Sequence, residues 1–432
     1  MTDAERVRDR VSWQDRLPWL ILLQAFRPAV SLRMLLWAAA GLIVMIAGWR
    51  LGWLMFAGST DPLIVGISGS MAANTYELQD QPNQAQTVWP AWPWETAQYS
   101  HLGSEKEGVI GRVFGSAGGQ LPSKVWQITL PFQLIFYGRI GWTGLAFCLL
   151  CGLWSLAVWA FFGGAMTRNV ALSLTRQEVI PCGQTHNFAL RHWLDYFTAP
   201  LYPLLGVLLL TLLVGVLGVV ARIDVGSWIA AILWPLALLA GFLMAALLLG
   251  LFFGWPLMFS TVSVEGNDAF DALSRSYAYV FQRPLHYLFY GIVAAVLGTL
   301  GYFLVAYFAE AVIHLANWAA SWGSGNARMS ALTGLPDPTK LASDSYAAGI
   351  FAFWHALVRL IAAGFAMSYL WSATTAVYLL LRRDVDAAEM DEVQLEQDER
   401  FGLPPLATDE SGVPGVADVP GSGTEKSQSE DE

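Results

Sequence analysis

Residues 228–259 read WIAAILWPLALLAGFLMAALLLGLFFGWPLMF, a stretch without a single ionisable side chain. A helix of about 20 apolar residues is long enough to cross the hydrocarbon core of a bilayer. Across its 432 residues the chain is 55% hydrophobic and only 13% charged, which is more apolar than is usual for soluble domains. Together these features predict an integral membrane protein.

Six apolar runs reach spanning length and predict an all-α, polytopic transmembrane helix bundle of about six spans. The runs cover residues 35–57, 135–163, 201–221, 228–259, 285–313 and 348–380. They lie in a transmembrane domain at 35–383, which follows a cytoplasmic N-terminal segment at 1–34 with a short interfacial helix at 17–26. Residues 58–134 are too polar and too rich in Gly and Pro to span, and we expect an outer loop that caps the bundle.

Basic residues in the connections predict the orientation of the spans, because short cytoplasmic loops carry an excess of Lys and Arg. One face carries Arg6, Arg8, Arg10, Arg16, Arg27, Arg33, Arg168, Arg176, Arg191, Arg275, Arg283, Arg382 and Arg383. The other face carries Lys106, Arg112, Lys124, Arg222, Arg328 and Lys340. The excess predicts that both termini are cytoplasmic, in a protein of the inner (cytoplasmic) membrane.

The acidic character of the chain is concentrated in residues 384–432. The net charge is −10, but this segment alone contains fifteen acidic and two basic residues, so the remainder carries +3. No part of the chain is basic enough to indicate nucleic-acid binding. From about residue 400 the composition is typical of disorder. We therefore expect an acidic, largely disordered cytoplasmic tail, and one hypothesis is that it recruits a cytoplasmic protein partner.

A charged segment, residues 265–284 (EGNDAFDALSRSYAYVFQRP), follows the fourth run and has helical periodicity. It predicts a cytoplasmic-side amphipathic interfacial helix, since apolar and polar side chains recur on opposite faces. The apolar face comprises Phe270, Leu273, Tyr277, Val280 and Phe281, and the polar face comprises Asp268, Asp271, Arg275 and Gln282.

Structural needs account for most charges of this segment. Asn267 is the expected N-cap, Asp271 and Arg275 form an i, i+4 pair, and Pro284 ends the helix. Only Glu265 is left without a structural role. Alternatively, the candidate interfacial carboxylates Glu265, Asp268 and Asp271 hold a divalent ion near lipid phosphates and serve a membrane enzyme.

The pattern Glu265-Gly-x-Asp268, Ala272, Arg275-Ser276 and Arg283-Pro284 resembles a segment of poorly characterised bacterial multi-spanning proteins. More distantly, it is similar to the membrane domains attached to some glycerophosphodiester phosphodiesterases. The resemblance covers a small part of the chain, and no catalytic phosphodiesterase domain accompanies it. It therefore implies topology rather than chemistry.

Ionisable residues inside the apolar runs form the candidate intramembrane polar site. Each charge costs at least about 2.5 kcal/mol in hydrocarbon, so such residues face the bundle interior and mark ion pairs or a pathway. Glu310 and His314 recur at helical spacing on the fifth run, and His355 and Arg359 share a face of the sixth. We expect these two stripes to face each other, with Glu310 as the partner of Arg359.

Arg50 and Arg139 lie toward the outer ends of the first two runs. In one interpretation both side chains extend to the outer lipid phosphates. In the other, they join Arg359 and the two histidines in an outward-facing cavity that accepts an anionic lipid headgroup or a small anion.

These features favour a non-enzymatic scaffold or a permease-like factor that handles a lipid or small amphiphile. The alternative is the interfacial enzyme that uses Glu265, Asp268 and Asp271. No motif designates a catalytic residue, and Cys148 and Cys151 lie in an apolar run where packing explains them. We expect neither a metal nor a cofactor.

Overall fold

Helices form every regular element in the parts of the chain that the computed structural model describes, residues 18–65, 128–135, 140–176, 182–333, 342–388 and 393. A 3₁₀ turn at Pro18–Leu20 comes first, and residues 62–65 and 128–135 form two short helical segments. The labelled helices are α1 (Ile21–Gln24), α2 (Phe26–Ala29), α3 (Leu32–Phe56), α4 (Trp142–Thr175), α5 (Cys182–Arg191), α6 (Trp193–Val220), α7 (Asp224–Glu265), α8 (Ala269–Gln282), α9 (Pro284–Ser324), α10 (Asn326–Thr333) and α11 (Ala342–Asp386).

Six of these helices, α3, α4, α6, α7, α9 and α11, are long and apolar enough to cross a membrane. The prediction of an all-α polytopic bundle of about six spans is confirmed. The helices α7, α9 and α11 contain 42, 41 and 45 residues. At 1.5 Å per residue they are about 61–68 Å long, roughly twice the thickness of the hydrocarbon core. They extend beyond the predicted apolar runs, most of all at the C-terminal end of α9, which reaches Ser324 where the run was predicted to end at residue 313.

The second span differs from its predicted position at 135–163. Its helix, α4, begins at Trp142, and Gly141 is its N-cap, with an extended backbone (φ −76°, ψ 176°). The carboxylate of Asp61 then accepts the backbone N–H of Gly144 at 3.1 Å and satisfies one of the donors exposed at the helix start. At its other end α4 continues to Thr175.

The spanning helices pack in sequential pairs, α3 with α4, α6 with α7, and α9 with α11. The pairs meet in an aromatic core around Trp371, whose side chain is fully buried. The ring of Trp371 lies 4.7 Å from that of Phe259 and 5.6 Å from that of Trp255. Gly163 permits this packing, since a Cβ atom there would lie 2.7 Å from the Trp371 ring.

The α6–α7 pair extends beyond this core. No residue of α6 after Val207 is buried, nor is any residue of α7 between Ala230 and Gly250. Helices that are apolar on all sides and yet exposed are suited to lipid contact.

Helix α8 packs on the protein through part of the predicted apolar face and through small residues beside it. Val280 is buried, and Leu273 and Tyr277 are partly buried against the core. Phe270 and Phe281 were expected on the apolar side, yet they are 67% and 52% exposed. The buried residues are Ala269, Ala272, Ser276, Tyr279 and Val280, most of which are small. Small side chains let α8 approach α7 closely, so that the Ser276 hydroxyl reaches that of Thr261 at 3.4 Å.

The N-terminal segment before α3 packs against two of the long helices. Leu22 and Ala25 are fully buried, and the ring of Phe26 lies 4.8 Å from that of Tyr369 on α11. The Ser368 hydroxyl donates to the Ala29 carbonyl at 2.7 Å. The segment predicted to lie in the interface is thus attached to the bundle.

Candidate functional site

Glu265 is the centre of a group that we call the Glu265 cluster, which contains Glu265, Asn267, Arg275, Tyr378 and Arg382. The Glu265 side chain is only 6% exposed. Its Oε1 atom accepts a hydrogen bond from the Tyr378 hydroxyl at 2.7 Å and lies 3.3 Å from Arg382 Nε. Its Oε2 atom lies 2.9 Å from Arg275 Nη1 and accepts from Asn267 Nδ2 at 2.9 Å. These partners compensate the buried charge and connect α7, α8 and α11.

The other two interfacial carboxylates have local structural roles. Asp268 Oδ1 accepts the backbone N–H of Asp271 at 3.0 Å, so Asp268 is the N-cap of α8 and the prediction of Asn267 was wrong. The Asn267 amide is instead bound to Glu265 and Asp271. Asp271 forms the predicted i, i+4 pair with Arg275, at 3.1 Å from Nε.

This arrangement favours a structural role over ion binding for Glu265, Asp268 and Asp271. Both oxygens of Glu265 are bound, by guanidinium groups, a phenol and an amide. Asp268 Oδ1 and Asp271 Oδ2 accept hydrogen bonds from N–H groups. Within the described ranges, no group of three or more His, Cys, Asp or Glu residues is placed to hold a metal ion.

Acidic residues at the end of α11 extend the network. The Tyr279 hydroxyl donates to Asp386, and the Tyr290 hydroxyl donates to Asp384 at 3.0 Å. Burial, together with Asp386 and Glu265, raises the pKa of Tyr279. Desolvation lowers the pKa of Arg275, but Glu265 and Asp271 more than offset this, and the net shift is upward. Tyr279 therefore stays a donor and Arg275 stays charged.

Glu310 and Arg359 form the ion pair that was predicted between the fifth and sixth spans. Arg359 Nε donates to Glu310 Oε1 at 2.7 Å, and Nη2 donates to Oε2 at 3.2 Å. Two parallel hydrogen bonds of this kind are the strong geometry for an Arg–carboxylate pair. The pair is neutral as a unit, and two of the guanidinium nitrogens are bound to Glu310.

Among the remaining members of the predicted intramembrane site, His355 lies near this pair, since it interacts electrostatically with both Arg359 and Glu310. His355 lies one turn from Arg359 on α11 and is partly buried, whereas His314 is exposed on α9. Arg50 is partly buried on α3, and Arg139 lies outside the described residues. A Cβ atom at Gly364 of α11 would lie 2.9 Å from the Leu35 carbonyl of α3.

Helices α3 and α11 cross where Gly364 approaches Leu35. At 1.5 Å per residue, Arg50 lies about 22 Å from this crossing along α3, and Arg359 lies about 8 Å from it along α11. The helix register therefore favours separate positions for Arg50 and Arg359 over one shared anion cavity.

A second polar cluster contains Arg168, which in the sequence served only to predict the orientation of the spans. Arg168 was assigned to the connection after the second span, but it lies within α4 and is only 4% exposed. Its Nη1 atom donates to the Ser263 carbonyl at 2.6 Å, and its guanidinium carbon lies 4.0 Å from the centre of the Phe188 ring. The Ser263 hydroxyl also contacts the Tyr196 hydroxyl at 2.8 Å. The cluster joins α4, α5, α6 and α7.

An apolar cavity of about 680 Å³ lies between the helices, a site that sequence reasoning missed. Its lining residues come from residues 128–135, α4, α6, α7, α9 and α11, and none of them is ionised at neutral pH. They are Ile128, Thr129, Phe132, Gln133, Leu156, Trp159, Pro200, Leu204, Leu248, Leu251, Phe252, Phe253, Trp255, Pro256, Phe259, Tyr287, Ala295 and Leu370. A volume of roughly 300–1,000 Å³ with a mainly apolar and aromatic lining is typical of small-molecule sites.

The helix at 128–135 forms one wall of the cavity at depth within the bundle. The ring of Phe132 lies against Gly152 of α4, where an added Cβ atom would be 2.8 Å from the Phe132 Cζ atom. Gly152 is about 15 Å along α4 from its start at Trp142. This part of the predicted outer cap is therefore inserted among the helices, as re-entrant segments are when protein surrounds them.

Comparison of the chain with protein-family models, with curated proteins and with solved structures found no match. The geometry of the cavity and of the polar clusters is accordingly what supports a function for this membrane protein.

Proposed function

We propose that this chain is a non-enzymatic inner-membrane protein that binds a lipid or small amphiphile, in a permease-like or scaffold role. The cavity at 128–135, α4, α6, α7, α9 and α11 is the observation that carries the proposal. Its lining excludes charge and offers a large aromatic surface, which suits a hydrocarbon chain. Both termini are cytoplasmic in this proposal, because basic residues are concentrated on that face.

An anionic headgroup or small anion at Arg359 is a less favoured ligand. Glu310 already binds the Nε and Nη2 atoms of Arg359, so an anion would have to displace a bidentate carboxylate inside the membrane domain. The cavity needs no such exchange. The acidic segment 384–432 remains a proposed contact for a cytoplasmic protein partner.

Two substitutions on the same helix test the role of the cavity. Leu251→Trp places a larger side chain in the lining, whereas Leu249 is 52% exposed and absent from the lining, so Leu249→Trp is the matched control. The full-length protein is purified in detergent, and native mass spectrometry detects co-purified molecules. We expect a bound amphiphile in the wild type and in Leu249→Trp, and its loss in Leu251→Trp.

Equal retention by both variants would place the molecule elsewhere on the protein. A wild-type protein that retains no amphiphile under gentle purification would contradict the proposal directly. Thermal unfolding of each variant shows whether a loss of ligand merely reflects a loss of fold.

A further inference from the structure

The polar groups of the cavity are few and are concentrated on the helix at 128–135. The Tyr287 hydroxyl is engaged, since it donates to the Phe253 carbonyl at 2.7 Å. Gln133 and Thr129 carry the polar side chains of the re-entrant wall, and Gln133 Nε2 donates to Thr129 Oγ1 at 2.7 Å. An ionised group placed here would lose its water and find no opposite charge in the lining, which costs several kcal/mol.

Gln133 retains hydrogen-bonding capacity beside the apolar lining of the cavity. A Gln side chain offers two N–H donors and a carbonyl acceptor, and among the described residues Gln133 uses one donor, to Thr129. Its side chain is partly buried and lines the cavity. A hydrogen bond to Gln133 is formed against this apolar lining, where it gains more than it does in water.

Trp371 lies behind the lining of the cavity and is not itself a lining residue. Its indole Nε1–H is buried and has no hydrogen-bond acceptor within the described part of the chain. The Trp371 ring packs directly against Trp159, Trp255 and Phe259, all of which line the cavity. Buried donors of this kind usually have a partner, such as ordered water.

We infer that the cavity selects an uncharged long-chain amphiphile with a hydroxyl head group, which hydrogen-bonds to the amide of Gln133. The inference rests on the proposed function, because it specifies the ligand class for the same cavity. The aromatic lining contacts the hydrocarbon chain. The Gln133 carbonyl accepts a hydrogen bond from the hydroxyl group, and the second N–H of the Gln133 amide donates a hydrogen bond to the hydroxyl oxygen.

Photo-crosslinking of the full-length protein in phosphatidylcholine nanodiscs tests this selection. The probe is a diazirine-bearing 16-carbon alcohol, and its competitors are 1-hexadecanol, hexadecane and hexadecyl sulfate. We expect crosslinks to map to cavity-lining residues and 1-hexadecanol to compete best. Loss of one neutral hydrogen bond predicts about three- to tenfold weaker competition by hexadecane. Hexadecyl sulfate should be weaker than 1-hexadecanol because its head group remains ionised.

A second arm compares Gln133→Leu with Gln282→Leu, the same chemical change at an exposed position at the end of α8. The first variant should bind 1-hexadecanol and hexadecane equally, and the second should keep the wild-type preference. Equal competition by all three molecules in the wild type would overturn the hydroxyl selection while leaving a chain-binding cavity intact. Preference for hexadecyl sulfate would overturn it too, and absence of any crosslink in the cavity would defeat the proposed function as well.

Discussion

Glu265 illustrates how strongly a single buried carboxylate depends on its partners. Two guanidinium groups, a phenol and an amide surround it, and the groups come from α8, α11 and the turn between α7 and α8. Removing one member of a buried charged network is costly because the remaining charges stay buried without compensation. Asp268, only three residues away, has a separate role as a helix cap.

Glu265→Gln keeps the shape of the side chain and removes its charge, leaving Arg275 and Arg382 with less compensation. We expect a loss of roughly 3 kcal/mol in unfolding free energy, the usual order for a broken buried pair. Thermal unfolding followed by intrinsic fluorescence measures it. Asp268→Asn is the matched control and should be nearly neutral, since Asn and Asp are comparable N-caps.

The Asp268→Asn variant also addresses the enzyme alternative. If the carboxylates held a catalytic divalent ion, Asp268→Asn would abolish a chelator-sensitive activity without altering stability. The capping role instead predicts no effect of chelators on the unfolding midpoint of the wild type.

Arg359→Met should destabilise the protein by about 2.5 kcal/mol, because it leaves the Glu310 carboxylate unpaired inside the membrane domain. Combining it with Glu310→Gln should restore part of that loss, since neither charge then remains. A double-mutant cycle on the unfolding free energy measures the coupling between the two residues. If the effects of the two substitutions on the unfolding free energy were strictly additive, they would contradict a stabilising interaction between Glu310 and Arg359.

At the scale of elements, hydrophobic length was enough to predict the spans, because the preference of a run for lipid is a local property of sequence. The small residues on the buried face of α8 were not predictable in this way. Ala272 and Ser276 contribute little hydrophobicity, yet they are buried because a small side chain permits close contact with α7. The helix at 128–135 was not predicted as a separate element, because its apolar residues directly precede the predicted second span, which was expected to begin at residue 135.

The candidate site was predictable only where helical spacing reveals neighbours. The Glu310–Arg359 pair follows from two polar stripes on consecutive spans, and the structure contains it. The partners Tyr378 and Arg382 of Glu265 are more than a hundred residues away in sequence and required the tertiary structure. The cavity likewise arises from six separate parts of the chain.

Gly152→Leu tests the placement of the helix at 128–135. The new side chain would collide with the ring of Phe132, and overpacking of this kind typically costs about 1–3 kcal/mol. We expect a lower unfolding midpoint together with weaker amphiphile retention. Gly215→Leu on α6 is the control, because nothing lies within 4 Å of a Cβ atom there. Similar losses in both variants would argue against specific packing of Phe132.

At the scale of the whole molecule, the buried residues of α7 and α11 are concentrated in their C-terminal parts, at 250–264 and 360–381. The α6–α7 pair projects from this region with exposed apolar surface on α6 after Val207. The cavity occupies the space where the helix pairs meet. Ligand binding and the packing between pairs are therefore expected to be coupled.

Two truncations separate the end of α11 from the residues after it. Deleting residues 400–432 should leave the unfolding midpoint unchanged, since the contacts of Asp384 and Asp386 are retained. Deleting residues 384–432 removes the acceptors of Tyr290 and Tyr279 and should lower the midpoint. Affinity purification of the shorter truncation also tests whether residues 400–432 recruit a cytoplasmic partner.

The Glu265 cluster also bears on the order of events during synthesis. Glu265, Asn267 and Arg275 emerge from the ribosome long before Tyr378 and Arg382, because synthesis proceeds from the N-terminus. Until α11 has been inserted, Glu265 has only the partners within its own segment. Closure of the cluster therefore marks the completion of the membrane domain, and nascent chains that stall before residue 378 are expected to be the preferred targets of membrane proteases.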